Sequence, residues 1–271
     1  MAKQPKKKSK PAARTKPATR GRTATRATRP APHPADVVDL PVGFRVDGWK
    51  TPPRPPRDPM IGRTCRVEPL DPAAHASQLY AANMLDTSHR NWTYLSYGPF
   101  ASLDDYTGWL NAVTQAADPM FHAIIDLATG EAIGVASYLR IDPIAGSIEV
   151  GHINYSPKLQ RTIAATEAMY VMMKRAFELG YRRYEWKCHA LNLASRAAAQ
   201  RLGFSYEGVF RQARVDKGRN RDTAWYAMID KEWPALDRAF QQWLHPSNFD
   251  RKGRQLTSLT ALTAPILVAR G

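Results

Sequence analysis

The stretch that most constrains the fold is residues 156–208, SPKLQRTIAATEAMYVMMKRAFELGYRRYEWKCHALNLASRAAAQRLGFSYEG. Across residues 161–179 the apolar side chains Ala165, Ala168, Met169, Met172, Met173, Ala176, Phe177 and Leu179 recur three and four apart, the period of a helix with one buried face. Gly180 predicts its end, because glycine takes the left-handed position past a helix at least cost. Over residues 182–189, Tyr184, Trp186 and Cys188 alternate with Arg183, Glu185 and Lys187, which is strand period. A second helix opens at Asn192, a good N-cap residue, carries Ser195, Ala198 and Ala199, and stops at Gly203. The order is β-α-β, with a strand over 147–155 leading in.

A helix entered from a strand presents its first N–H groups and its positive dipole end above the turn, where a phosphate fits. Here the turn is Gln160, Arg161, Thr162, Ile163, Ala164, Ala165 and Thr166. The side chains of Thr162, Ala164, Ala165 and Thr166 are small or short, and Arg161 can add a charge-assisted bond to an oxyanion. An ordinary helix start accounts for the same residues. No G-x-G occurs in the chain, which removes the dinucleotide fingerprint and the Walker loop.

With these motifs in order, the chain resembles the GNAT superfamily of acetyl-CoA-dependent N-acetyltransferases, and within it the branch containing the ribosomal-protein N-terminal acetyltransferases. In that superfamily a Q/R-x-x-G-x-G/A loop cradles the coenzyme pyrophosphate through main-chain N–H groups. Gln160, Ile163 and Ala165 fall on its marked positions, with Ile163 replacing the middle glycine, and Thr166, Glu167 and Ala168 continue the pattern. Residues 147–153 resemble the family's fourth strand, Asn192 to Ser195 its Asn-x-x-Ser opening of the fourth helix, and Arg201 to Phe204 with Glu207 and Gly208 the close of that helix. The spacing from Gly151 to Pro157 is one residue longer than in many relatives, which a β-bulge absorbs. The resemblance spans roughly residues 62–235.

It implies an α/β (α+β) fold: a mixed, mostly antiparallel central sheet flanked by helices, with acetyl-CoA as co-substrate and no metal. By the same resemblance, main-chain N–H groups at Ile153 and Asn154 are expected to polarise the thioester carbonyl, and residues 160–166 to hold the coenzyme. Asn192 places the leaving group, Ser195 donates a proton to the departing thiolate, and Glu149 is the nominated base, acting directly or through water. The plain alternatives stay open: Asn192 as a helix cap, Ser195 bonding locally, and Glu149 as a salt-bridge partner. The aromatic loop with Trp92, Tyr94 and Tyr97 matches the region that borders the acceptor, and the same rings also suit a core cap.

Around this unit the chain divides into a basic tail (1–36), a Pro-rich extended strap (37–61), the transferase domain (62–245) and a C-terminal extension (246–271). Residues 1–35 hold eleven Lys or Arg and no acidic residue, so those 35 residues supply +11 of the +15 formal charge. Twelve of the 21 prolines lie in the first 60 residues. That composition predicts disorder over 1–36 and electrostatic attraction to nucleic acid, ribosome or an anionic surface, or else a solubilising arm. Strands are predicted over 63–70, 121–127 and 131–141, and helices over 71–85 and 102–117. A hairpin of 209–215 and 223–230 around a turn at 217–220, then a helix over 232–244, complete the domain.

Two cysteines, Cys65 and Cys188, give no disulfide framework and suit a reducing compartment, with cytoplasm as the default. The absence of C-x-x-C, H-E-x-x-H and G-x-S-x-G leaves metal and serine-hydrolase chemistry without support. Residues 256–268 are apolar but short and broken by Pro265, too little for a membrane span. The expected function is acetyl transfer to a primary amine, first a protein N-terminus. The rivals are a small amine such as an antibiotic, polyamine or amino acid, and a non-catalytic nucleic-acid or ribosome-binding adaptor on the same fold.

Overall fold

Eight strands join in one sheet in the computed structural model, which describes residues 1–2 and 40–271. They are β1 (Met60–Ile61), β2 (Cys65–Pro69), β3 (Met120–Asp126), β4 (Ala132–Asp142), β5 (Ser147–Tyr155), β6 (Arg183–His189), β7 (Ser205–Asp216) and β8 (Arg219–Ile229). Their order is β1-β2-β3-β4-β5-β6-β8-β7, and every neighbouring pair is antiparallel except β5 with β6. The helices are α1 (Pro72–Asn83), α2 (Leu103–Thr114), α3 (Ile163–Glu178), α4 (Leu193–Arg201), α5 (Trp233–Leu244) and α6 (Leu259–Thr263). This is the mixed, mostly antiparallel sheet flanked by helices that the motif order predicts. Except for its first two residues, the tail over 1–36 lies outside the described residues.

Each face of the sheet has its own core. On one, α3 to α6 cover Ile148, Val150, Tyr184, Trp186, Cys188, Tyr226 and Met228. On the other, α1 and α2 cover Phe121, Ala123, Ile125 and Val135 with Leu79, Trp92, Tyr106 and Leu110. The alternation along β6 and β8 settles which side chains face which layer. Glu149, Glu185, Lys187 and Trp225 thereby fall on the α1/α2 side, beyond the reach of those two helices.

Local chemistry sets the ends of the elements. Asp71 caps α1, its carboxylate accepting from the Ala73 amide at 2.9 Å, with Pro72 in the first turn. Gly203 closes α4 at φ +94°, and a side chain there would sit 2.3 Å from Leu236, so both backbone and packing require glycine. The helix predicted over 102–117 stops at Thr114, because the carbonyls of Ala116 and Ala117 accept from Arg57 and Arg54 of the strap, each at 3.2 Å. The strap is extended over residues 49–59, buries Pro52 and Pro55, and offers the Pro53 carbonyl to Tyr181 Oη at 3.1 Å.

Two expectations change. The β7–β8 hairpin is longer than 209–215 and 223–230, with a two-residue turn at Lys217 and Gly218, both at positive φ. Arg221 is in the strand because its guanidinium pairs with Asp216 across the ladder at 2.7 Å. In the C-terminal extension, α6 is a helix that the sequence pattern does not reveal; Ser258 caps it, and Thr263 Oγ1 donates to the Arg201 carbonyl at 3.0 Å.

Glu167 of α3 ties that helix to the β1–β2 turn. Its buried carboxylate accepts from the amides of Arg63 (2.8 Å) and Thr64 (2.6 Å) and from the Thr64 hydroxyl (2.5 Å). Glu167→Ala strands those donors, so we expect a loss of about 3 kcal/mol. Urea unfolding should show a lower midpoint with an unchanged slope; a loss below about 1 kcal/mol would mean that water replaces the carboxylate.

Candidate active site

The parallel pairing of β5 with β6 runs from Ser147 opposite Arg183 to Val150 opposite Trp186 and then ends, although both strands continue. The strands part because β5 carries an extra residue against β4: Ser137 faces Gly151, and Val135, two residues back, faces Asn154. That is the bulge the spacing predicts. His152 takes it up at φ +50°, and Ser137, fully buried, donates to the Gly151 carbonyl at 3.1 Å.

Beyond the bulge, the direction of each amide follows from the ladder. The Ser156 amide bonds the Ile133 carbonyl of β4, so the Asn154 amide also turns to β4. The Tyr155 carbonyl accepts from Gln160 Nε2 (2.9 Å) and Asn91 Nδ2 (3.1 Å), away from β4. The amides of Tyr155 and Ile153 therefore face the gap. The expected donor pair of Ile153 and Asn154 changes accordingly: Asn154 is committed to the sheet through its backbone, and Tyr155 takes its place.

Above the gap stands the N-terminus of α3. Leu159, fully buried, anchors the loop against Gly134, where an added Cβ would lie 2.4 Å from the leucine methyl. Several predicted coenzyme contacts are spent inside the chain. The Gln160 amide bonds the Ser156 carbonyl, its side chain bonds Asn91 and Tyr155, the Thr162 amide bonds the Leu159 carbonyl, and Thr162 Oγ1 caps the Ala165 amide. The Thr166 hydroxyl accepts from Arg201 Nη1 at 3.1 Å. The amides of Arg161, Ile163 and Ala164 make none of these bonds, and the first turn of a helix has no internal acceptor for them. Ile163 is the first helical residue; the left-handed conformation falls on Arg161, at φ +61°. The replaced glycine thus costs this loop no backbone strain.

Asn192 and Ser195 lie over the point of divergence. Asn192 Oδ1 accepts from the Ser195 amide at 3.1 Å, the capping role. Ser195 Oγ accepts from Trp186 Nε1 at 3.0 Å, and Trp186 belongs to the last pair before the strands part. Burial raises the pKa of the Cys188 thiol, while the Ser195 hydroxyl beside it pulls the other way.

On the opposite face Glu149, 3% exposed, accepts from Arg140 Nη1 at 2.7 Å and lies 2.8 Å from Lys187 Nζ. Burial pushes its carboxyl above the usual range against the pull of those two cations. Lys187 also meets Glu185 at 2.7 Å and sits 3.8 Å over the Trp225 ring. His152 stacks near Tyr97, with Nδ1 3.3 Å from the phenol oxygen. Its pKa is lowered to about 4 by burial and then by Arg140, Arg214 and Arg221. Sequence reasoning missed His152, whose signal was the extra residue after Gly151.

The three aromatic candidates separate. Trp92, 5% exposed, packs edge-on against Phe100 and Tyr106 and is a core residue, not an acceptor contact. Tyr97 stacks between Trp109 and His152 and lines the site from below. Tyr94 is 37% exposed, lies 5.2 Å from the His189 ring and donates to the Leu191 carbonyl at 3.2 Å. Lys217 at the hairpin tip donates to the Trp92 carbonyl at 2.8 Å, so the tip touches its own chain.

A sheet opened beside a bulge, with a helix N-terminus over one mouth and ionisable groups behind the other, is the arrangement of an acyl-transfer enzyme. A family model described as an acetyltransferase (GNAT) domain matches residues 66–205, and the chain belongs to that family. It is similar to a GCN5-related N-acetyltransferase from Brucella melitensis at 44% identity, covering 81% of this chain and 100% of that one with a TM-score of 0.79. It is also similar to a probable acetyltransferase of the GNAT family from Chromobacterium violaceum ATCC 12472, at 40% identity over 72% and 98% of the two chains, TM-score 0.68. An acetyltransferase from Salmonella typhimurium, which modifies the N-terminal serine of a 50S ribosomal subunit protein, shares the fold at 23% identity, with 62% and 96% coverage and a TM-score of 0.53. No curated protein sequence matches the chain. Among the described residues, no helix is long and apolar enough to cross a membrane, and no group of three or more His, Cys, Asp or Glu is placed to hold a metal ion.

Proposed function

We propose that this acyltransferase moves the acetyl group of acetyl-CoA to the α-amine of a protein N-terminus. The observation that carries the choice of acceptor is the positive surplus behind the gap, which together with burial holds His152 at about 4. An amine entering that field loses its proton more readily than in water. An α-amine starts near 7.7–8.0 and a lysine-type amine near 10.4, so about the same push leaves the first neutral and the second charged. Polyamines and aminoglycoside-like antibiotics carry several cations and are repelled, which disfavours the small-amine reading.

Acetyl-CoA brings an activated thioester and a diphosphate. The amides of Arg161, Ile163 and Ala164 suit the diphosphate, with the α3 dipole behind them. The Ile153 amide, beside the bulge, suits the acyl carbonyl oxygen as a preorganised donor, and the Tyr155 amide, two residues and roughly 7 Å further along the strand, is left for a second acceptor on the coenzyme arm. Glu149 takes the amine proton, directly or through water, its raised pKa matching it better to that task than an ordinary carboxylate. Ser195, aligned by Asn192 and Trp186, gives its proton to the departing sulfur. The two buried cysteines accord with a cytoplasmic setting.

The test is thiol release from acetyl-CoA with a panel of N-terminal peptides beside spermidine and an aminoglycoside. Peptides should turn over at least about tenfold faster than the polycations, a difference of ~1.4 kcal/mol; the reverse order sinks the reading. Ser195→Ala should lower kcat about a hundredfold while the acetyl-CoA Kd by calorimetry moves less than about threefold. Equal turnover would remove Ser195 from the proton path. For the tail we propose salt-sensitive polyanion contact: deletion of residues 1–36 should abolish binding to a ribosome-sized RNA at low salt and leave peptide turnover unchanged. RNA binding that survives the deletion would place that contact elsewhere.

A further inference from the structure

The outer half of the β7–β8 hairpin lends the chemistry above only the field of Arg214 and Arg221, yet it is built as a continuation of the site. Along β8, Trp225, Thr223, Arg221 and Arg219 are spaced two apart and so share the sheet face that carries Lys187 and Glu149. Arg214 stands directly opposite Arg221 and joins them on that face. Asp216 is the one carboxylate they meet, 2.7 Å from Arg221 and 3.2 Å from Arg214, and Arg219 has no carboxylate partner among the described residues. The other nearby acid, Asp222, lies on the opposite face of β8 and is held by the Gln212 amide and Asn220.

Nearer the gap, the row has polar groups without partners. The Thr223 hydroxyl and the Trp225 indole N–H are both buried and make no hydrogen bond, and Thr223 is only 6% exposed. Phe210, 59% exposed, packs on Trp225 with ring centroids 4.5 Å apart. Unmade bonds to a hydroxyl and an indole cost stability unless something arrives to make them. Main-chain carbonyls of an extended segment fit that need, and an apolar side chain fits the exposed Phe210.

We infer that this row is the binding track for an acidic acceptor: an extended N-terminal segment whose carboxylates, at about its fifth to seventh positions, meet Arg221, Arg214 and Arg219. The inference rests on the α-amine reading above. The spacing follows from strand geometry. From Trp225 to Arg221 is four residues and to Arg219 six, roughly 13 and 20 Å, and an extended acceptor covers those spans with about the same number of residues. Nucleic acid is also an anion, but the track starts at the amine site and needs apolar and main-chain contacts before the charges begin, which describes a peptide.

The experiment uses the full-length enzyme with acetyl-CoA and three octapeptides, identical except for three aspartates, three serines or three lysines at positions five to seven. The kcat/KM should fall from aspartate to serine to lysine, with aspartate over serine about three- to tenfold at ~50 mM salt, as expected for two exposed ion pairs. At about 0.5 M salt the preference should shrink towards one. In the double variant Arg214→Gln, Arg219→Gln the aspartate-to-serine ratio should also approach one. Because it is a ratio within one preparation, partial unfolding of the variant cancels. A flat series, or a preference untouched by the double substitution, overturns the inference while leaving the α-amine reading intact. Oligouridylate that inhibits the native enzyme but not the variant, together with a flat peptide series, assigns the row to nucleic acid and overturns it too. Acetylation of spermidine with none of the three peptides overturns both readings.

Discussion

Everything in the site depends on β5 and β6 ceasing to pair after Val150 and Trp186. A parallel pair left to itself would continue, since each further rung satisfies two backbone groups. Here one extra residue in β5 changes the direction of the strand, and the left-handed His152 absorbs the change. The cost is a short run of amides on Ile153 and Tyr155 without a neighbouring strand. In a purely structural sheet that would be a defect; beneath a helix N-terminus it leaves unpaired donors for a ligand, which is what the proposed acyl transfer calls for.

The electrostatics behind the gap show a division of labour. Deep in the sheet, charges are matched: Glu149 lies between Arg140 and Lys187, and Glu185 between Lys187 and Arg183. Breaking one partner of such a buried set leaves a charge stranded, so the network fixes geometry more than it adds stability. Burial raises the Glu149 carboxyl; for Glu185 burial pulls the same way, but Lys187 and Arg183 overcome it and hold the group below its usual value. Two carboxylates one strand apart therefore have opposite tendencies, the pattern expected when one is to move a proton and the other to stay ionised. Further out on the hairpin the matching stops, and the surplus is positive.

Much of the fold could be read from periodicity. The helix over α3, the alternation of Tyr184, Trp186 and Cys188, and the glycine at the end of α4 each report a local preference that tertiary structure did not override. The bulge was legible only as a residue count. What could not be read was anything decided by a distant partner. Trp92 sits in an aromatic loop like Tyr94, and only the packing of α1 and α2 makes one a core residue and the other a rim residue. Helix ends at residues 114–117 were set by Arg54 and Arg57, some sixty residues away in sequence. The short α6 has too few residues for a periodic signal and is held by its bond to Arg201.

The loop before α3 shows why a motif can lose a marked residue and keep its geometry. Glycine is indispensable where φ is positive or where another chain must approach closely. At Ile163 neither holds: the backbone is helical there, and the positive φ is two residues earlier, on Arg161. The close approach falls instead on Gly134, against which Leu159 packs to set the height of the loop over the gap. What the mouth needs is three amides left without acceptors, and the bonds made by Gln160, Thr162 and the Thr162 cap determine which three remain. The proposed diphosphate cradle is thus a property of where the loop's own hydrogen bonds stop, and an isoleucine at its centre is compatible with it.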